Sequence, residues 1–183
     1  MRIHVLLFVL LLTSARFAHA QYYDASPSMV LGVEAGVPVG VLSNTQTLGA
    51  GLTGKIRLPA GLMSDVIFSG NIMGFFGKSN TNTNTNTGTK STNPGIAKIF
   101  SGFVGYRYYL TPLWNYNSFY IQGDVGLSAI TSKIINPVIA PSLGYLINDK
   151  IDLALRYQSI LSGPERRRYS FISFGLAYGF NLK

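Results

Sequence analysis

"SFISFGLAYGFNLK" closes the chain at residues 170–183. Ile172, Phe174, Leu176, Tyr178, Phe180 and Leu182 are large and apolar, and the residues between them are mostly Ser, Gly, Ala and Asn. A repeat of two is the period of a β-strand, whose side chains alternate between two faces. Such a strand needs two surroundings: an apolar one that accepts rings, and a cramped one that accepts little.

The same period recurs upstream. In "VLGVEAGVPVGV" (30–41), Leu31, Val33, Ala35, Val37, Val39 and Val41 alternate with Gly32, Glu34, Gly36, Pro38 and Gly40. In "LGAGLTGKIRL" (48–58), Leu52, Ile56 and Leu58 oppose Thr53, Lys55 and Arg57. In 62–76, Val66, Phe68 and Ile72 oppose Asp65, Ser69 and Asn71. Segment 100–110 sets Val104, Tyr106 and Tyr108 against Ser101, Gly105 and Arg107, and 119–129 sets Phe119, Ile121 and Val125 against Gln122, Asp124 and Ser128. Segment 151–160 sets Leu153, Leu155 and Tyr157 against Asp152, Ala154, Arg156 and Gln158. The least distinct is "INPVIAPSLGYLI" (135–147), which carries Pro137 and Pro141. With the closing stretch these make eight segments, and no sustained helical period follows Ala20.

Two settings produce this pattern. A water-soluble barrel points its large apolar set inward. A membrane barrel reverses the order, with apolar residues toward lipid and a small, polar set inside. The interior of an eight-stranded barrel has little room, and the minor set here is dominated by Gly, Ser and Ala. Charged residues are only 12% of the chain, about half the usual share of a soluble domain. Both observations favour an all-β, eight-stranded antiparallel up-and-down transmembrane barrel. A soluble periplasmic barrel binding an apolar ligand is the alternative.

Residues 1–20 have the parts of an export signal: Arg2, the apolar run Val5–Leu12, and Ala18-His19-Ala20 before Gln21. The run is too short for a membrane-spanning helix, which takes ~20 apolar residues. Residues 21–183 are then the exported domain. Cysteine is absent, so burial and backbone pairing must hold the fold. Both histidines, His4 and His19, lie in the signal, leaving no imidazole for Ser–His or Cys–His chemistry. No cofactor and no enzymatic activity are expected. The net charge of +8 falls to +6 without Arg2 and Arg16; in an exported chain it suits anionic surfaces rather than nucleic acid.

The connectors also alternate. "PAG" (59–61), "NDK" (148–150) and "TPLWNYNS" (111–118) lie at one end. "SNTQT" (43–47), the long 78–95 stretch, "ITSK" (130–133) and "SGPERRRY" (162–169) lie at the other. Short turns on the periplasmic side and longer loops outside are the habit of outer-membrane barrels. In this frame Tyr108, Trp114, Tyr116, Phe119, Tyr145, Tyr178 and Phe180 fall near the periplasmic rim, and Phe75, Phe76, Tyr157 and Tyr169 near the outer rim. Aromatic belts at both interfaces are expected of a barrel in lipid.

Through "LGVEAGVPVG", "GFVGYRYYL" (102–110) and "FGLAYGF" (174–180), nearly the whole exported chain resembles the small eight-stranded outer-membrane proteins of the OmpA/OmpX-like type. The resemblance implies a monomeric barrel in the bacterial outer membrane. It also implies that the last strand, with Tyr178 and Phe180, is the signal read by the barrel-assembly machinery.

Charged residues on the inward positions form a pattern. Acids Glu34, Asp65, Asp124 and Asp152 come from odd-numbered strands; bases Lys55, Arg57 and Arg107 come from even-numbered ones, and Arg156 joins them from the seventh. Opposite charges are expected to meet across neighbouring strands in the periplasmic half of the lumen, because an unpaired buried charge is not tolerated. One reading is a salt-bridged plug. The other is a gate whose pairs switch to pass ions, as in a narrow passive channel. Arg166, Arg167 and Arg168 are either a solvated loop cluster or a contact for lipopolysaccharide phosphates at the rim. "NTNTNTNT" (80–87) is either a mobile tract or an extension of the strands that offers an edge to partners.

Overall fold

Alternation of this kind, repeated along the chain, builds a sheet with two unlike faces, and the computed structural model curls that sheet into a closed ring. The structure describes residues 26–78, 80–82, 90–92, 95–111, 117–130, 135–162 and 167–182, with backbone alone at 80–82, 90–92, 162, 167 and 168. The export signal, Trp114, Tyr116, Arg166 and most of the Asn-Thr tract lie outside these residues.

The barrel strands are β1 (Ser28–Gly40), β2 (Gln46–Gly61), β3 (Ser64–Gly77), β4 (Ala97–Tyr109), β5 (Ser118–Ile130), β6 (in two pieces, Ile135–Ile139 and Ser142–Ile147), β7 (Ile151–Ser162) and β8 (Arg167–Asn181), and a separate short ribbon pairs Asn80–Asn82 antiparallel with Lys90–Thr92. Each pairs antiparallel with its chain neighbours, and β1 pairs with β8 from Ser28↔Asn181 to Gly40↔Tyr169. The result is an eight-stranded barrel with no open edge. Leu182 N–H donates to the Pro27 carbonyl at 2.8 Å and carries the seam one step further.

The large apolar set faces outward on every strand. Leu52 and Val125 are 63% and 62% exposed, and Phe174, Tyr178 and Phe180 lie open on the same surface. In a water-soluble barrel these side chains would be the core. Here they form the lipid-facing wall of a transmembrane barrel.

Several strand ends shift by a few residues from the sequence reading, with β4 starting at Ala97 and β8 at Arg167, and three further differences shape the barrel. The β2–β3 turn is Leu62-Met63, because β2 runs on through Pro59, Ala60 and Gly61. At the other end β1 stops at Gly40, whose positive φ of 63° reverses the chain into a short 3₁₀ turn, Val41–Asn44. That turn folds Leu42 over the lumen. The third difference is β6, which is interrupted at Ala140-Pro141, since proline has no N–H to give the ladder. Neighbouring strands bridge the gap: Ala140 N–H donates to the Asp124 carbonyl at 2.9 Å, and Tyr157 N–H to the Pro141 carbonyl at 3.0 Å. Asn136, Val138, Ala140, Ser142 and Leu146 stay inward, so the phase is kept. The 148–150 turn falls where it was expected. Asn148 and Asp149 have φ of 51° and 56°, the positive pair at the centre of a β-turn that Lys150 N–H closes on the Ile147 carbonyl at 3.0 Å.

The interior is not uniformly small. At the end that carries the Val41–Asn44 turn, Leu42, Met73, Phe75, Ile99, Phe103, Val138, Ala140, Ile160 and Phe171 make one buried apolar cluster. Phe75, expected in the outer aromatic belt, is fully buried inside, while its neighbour Phe76 faces outward. The reason is phase: Phe75 lies an even number of residues from Ser69 and Asn71, which point into the lumen. Tyr169 packs half-buried against the same cluster.

Candidate functional site

The polar half of the lumen gathers the charged positions of the sequence. Strand phase aims each of them at the barrel axis, and a closed ring makes side chains from distant strands converge there. Asp152 of β7 is the hub. It accepts from Lys55 Nζ of β2 at 2.9 Å, from Arg107 Nη2 of β4 at 3.0 Å, and from the Tyr120 hydroxyl of β5. The Arg107 guanidinium lies 3.7 Å from the centre of the Tyr120 ring, close enough for a cation–π contact.

From the hub hydrogen bonds run on to Asp124, and a longer ion pair joins Asp124 to a second bonded group. Arg107 Nε donates to Gln122 Oε1 at 2.8 Å, and Gln122 Nε2 donates to both Asp124 oxygens at 2.8 and 2.9 Å. Arg156 Nη2 stands 4.0 Å from Asp124, and its Nη1 donates to Glu34 Oε1 at 3.3 Å. Glu34 also accepts from Asn71 and Ser173. Asn71 Nδ2 donates to Gln158 Oε1 at 3.3 Å, and Gln158 Nε2 to Ser101 Oγ at 2.9 Å. One network thus ties β1, β2, β3, β4, β5, β7 and β8 together through the lumen.

Two charged residues sit nearer the short-turn end. Asp65 accepts from the Tyr109 hydroxyl. Arg57 donates from Nε to Ser28 Oγ at 2.6 Å, from Nη1 to Asp149 Oδ1 at 3.2 Å, and from Nη2 to the Asp149 carbonyl at 3.0 Å. It therefore fastens the start of β1 to the β6–β7 turn.

The pairing geometry corrects the expectation of contacts between neighbouring strands. Asp65 and Arg107 are direct register partners on β3 and β4, yet they form no ion pair. Arg107 reaches over the lumen to β7, and Lys55 does so from β2. A flat sheet would favour adjacent partners, whereas curvature swings long inward side chains toward the axis. Sequence reasoning also missed Tyr109, Tyr120, Gln122 and Asp149 as partners. The first three carried a usable signal, since they share the inward phase of Arg107 and Asp124. Asp149 carried none, being a turn residue.

Small residues leave the room this network needs. A Cβ added to Gly105 would stand 1.8 Å from Asp124 Oδ1, and one added to Gly144 would stand 2.1 Å from Tyr120 Cζ. The glycines of the inward set are recesses for their larger neighbours.

The remaining sequence candidates lie elsewhere. Tyr178 and Phe180 stack edge-on at 5.0 Å on the outer wall of β8. Arg167 and Arg168 begin β8 at the end opposite the short turns, and Arg166 is outside the described residues. Among the described residues, no group of His, Cys, Asp and Glu is placed to hold a metal ion.

No family model matches the chain, and no curated protein matches it in sequence. Solved structures do match. The Yersinia pestis outer membrane protein Ail in a phospholipid bilayer nanodisc aligns with a TM-score of 0.56 at 16% identity, over 85% of this chain and 100% of that one. The fold is that of a small outer-membrane β-barrel. A crystal structure of Ail with the heparin analogue sucrose octasulfate gives a TM-score of 0.50 at 14% identity, over 86% of this chain and 100% of Ail. A designed transmembrane β-barrel covers 86% of the chain at 12% identity, with a TM-score of 0.49.

Proposed function

We propose that this chain is an exported, non-enzymatic outer-membrane barrel with a closed lumen, whose work is structural or done by its loops at the cell surface. The observation that carries the reading is the filled interior. Glu34, Lys55, Arg57, Asp65, Arg107, Asp124, Asp152 and Arg156 all have polar partners, and an apolar cluster fills the long-loop end. An interior committed to holding itself together offers no site to a substrate. Ail, an attachment invasion locus protein by its name, supports a surface role by fold analogy alone.

In this reading residues 1–20 are removed on export. The β8 residues Tyr178 and Phe180 are displayed to the barrel-assembly machinery, and the mature monomer resides in lipid. Arg166, Arg167 and Arg168 hold phosphates of lipopolysaccharide at the outer rim, where guanidinium forks suit such groups. The test is fractionation followed by electrophoresis with and without heating. The expected result is a heat-modifiable band in the outer-membrane fraction and no ion current from the purified protein in a planar bilayer. Recovery in the soluble periplasm, or steady single-channel currents, would overturn the reading.

A further inference from the structure

We infer that the barrier to ions in this barrel is an apolar septum at the long-loop end, and that the ion pairs are not the seal. The inference rests on the closed-lumen reading and locates what closes it.

Side chains from β3, β4, β6, β7 and β8 build the septum, and Ile130 of β5 packs half-buried against it. From β3, Met73 and Phe75 lean over the glycine wall of the adjacent β2 and of β1. A Cβ at Gly49 would stand 2.5 Å from the Phe75 ring, one at Gly51 2.4 Å from Met73 Sδ, and one at Gly36 3.0 Å from Met73 Cε. Phe171 of β8 meets Phe75 edge-on with ring centres 5.0 Å apart. Ile99 and Phe103 of β4, Val138 of β6 and Ile160 of β7 close the remaining sides, and Leu42 folds over the end. Met73, Phe75, Ile99, Ile160 and Phe171 have no accessible surface. The layers interlock at their border: the Arg156 guanidinium lies 5.6 Å from the Phe103 ring centre, and Ser101, one inward position nearer the long-loop end, accepts from Gln158.

The two layers differ in what they do to an ion. A layer of balanced charges gives an ion polar partners, and two of its buried donors, Arg107 Nη1 and Arg156 Nε, have no protein partner. Rings of charged side chains are what selective channels conduct through, whereas apolar constrictions close by expelling water. An ion in the septum would lose hydration and gain nothing in exchange. Removing Arg107 also leaves Asp152 bonded to Lys55 and Tyr120, so the polar layer stays occupied.

The experiment is single-channel recording of wild type, Arg107→Ala and the double variant Phe75→Ser/Phe171→Ser in planar bilayers. Each is first shown to be folded by heat-modifiable migration. The expected result is silence from wild type and from Arg107→Ala, with steady currents from the double variant. Should the double variant not fold, Met73→Ser/Ile160→Ser opens the same layer from β3 and β7 and carries the same expectation. Currents from Arg107→Ala, or silence from a folded septum variant, would overturn the septum while leaving the closed-lumen reading intact. Currents from wild type would instead overturn the closed-lumen reading itself.

Discussion

Asp152 shows what a single residue does in this lumen. Its carboxylate is the meeting point of Lys55, Arg107 and Tyr120, so its removal strands two buried cations. Loss of one partner from a buried ion pair costs about 3–5 kcal/mol. Asp152→Ala is expected to lower unfolding stability in detergent by that amount, read as a shift in urea midpoint. Tyr120→Phe removes one hydrogen bond of the hub and keeps the ring under Arg107; it is expected to cost about 1–3 kcal/mol. An Asp152→Ala protein as stable as Tyr120→Phe would mean that the hub carries no special weight. Arg166, Arg167 and Arg168 pose a different residue-scale question, that of binding. Replacing all three with Gln is expected to lower the lipopolysaccharide retained through detergent extraction, and unchanged retention would remove the proposed contact.

At the scale of the strand, phase decides which glycines are indispensable. Gly144 and Gly123 sit on adjacent strands with opposite environments. A methyl group at 144 would stand 2.1 Å from Tyr120 Cζ and 2.6 Å from the Leu153 carbonyl, while one at 123 meets nothing within 4 Å. Gly144→Ala is expected to destabilise the barrel by about 1–3 kcal/mol through overpacking. Gly123→Ala should be neutral or mildly stabilising, since glycine weakens a strand. Urea titration of both checks the contrast, and equal effects would show that the inward recess is not needed. The strands were legible because alternation survives irregular composition. Their boundaries were less so, since "PAG" reads as a turn although β2 extends through it. The two-piece β6 was legible only as a weak segment, because the hydrogen bonds that bridge Pro141 come from β5 and β7.

At the scale of the molecule, the outward face separates a barrel in lipid from one in water. Val125 lies midway along β5 on the exposed wall. Arginine at the bilayer midplane of such a wall costs about 2–4 kcal/mol, whereas on a water-facing surface it would cost almost nothing. Val125→Arg is therefore expected to lose about 2–4 kcal/mol in reversible unfolding from lipid vesicles, and no loss would mean that this face does not meet hydrocarbon. Alternation, small inward residues and scarce charge determined by themselves the architecture and which face each residue of 170–181 takes, because strand periodicity is a local property of the chain. The identity of each charge's partner and the division of the interior into a polar and an apolar layer were decided only by closure. Bending the sheet into a ring brings strands distant in sequence to a common axis, and no local pattern encodes which side chains meet there.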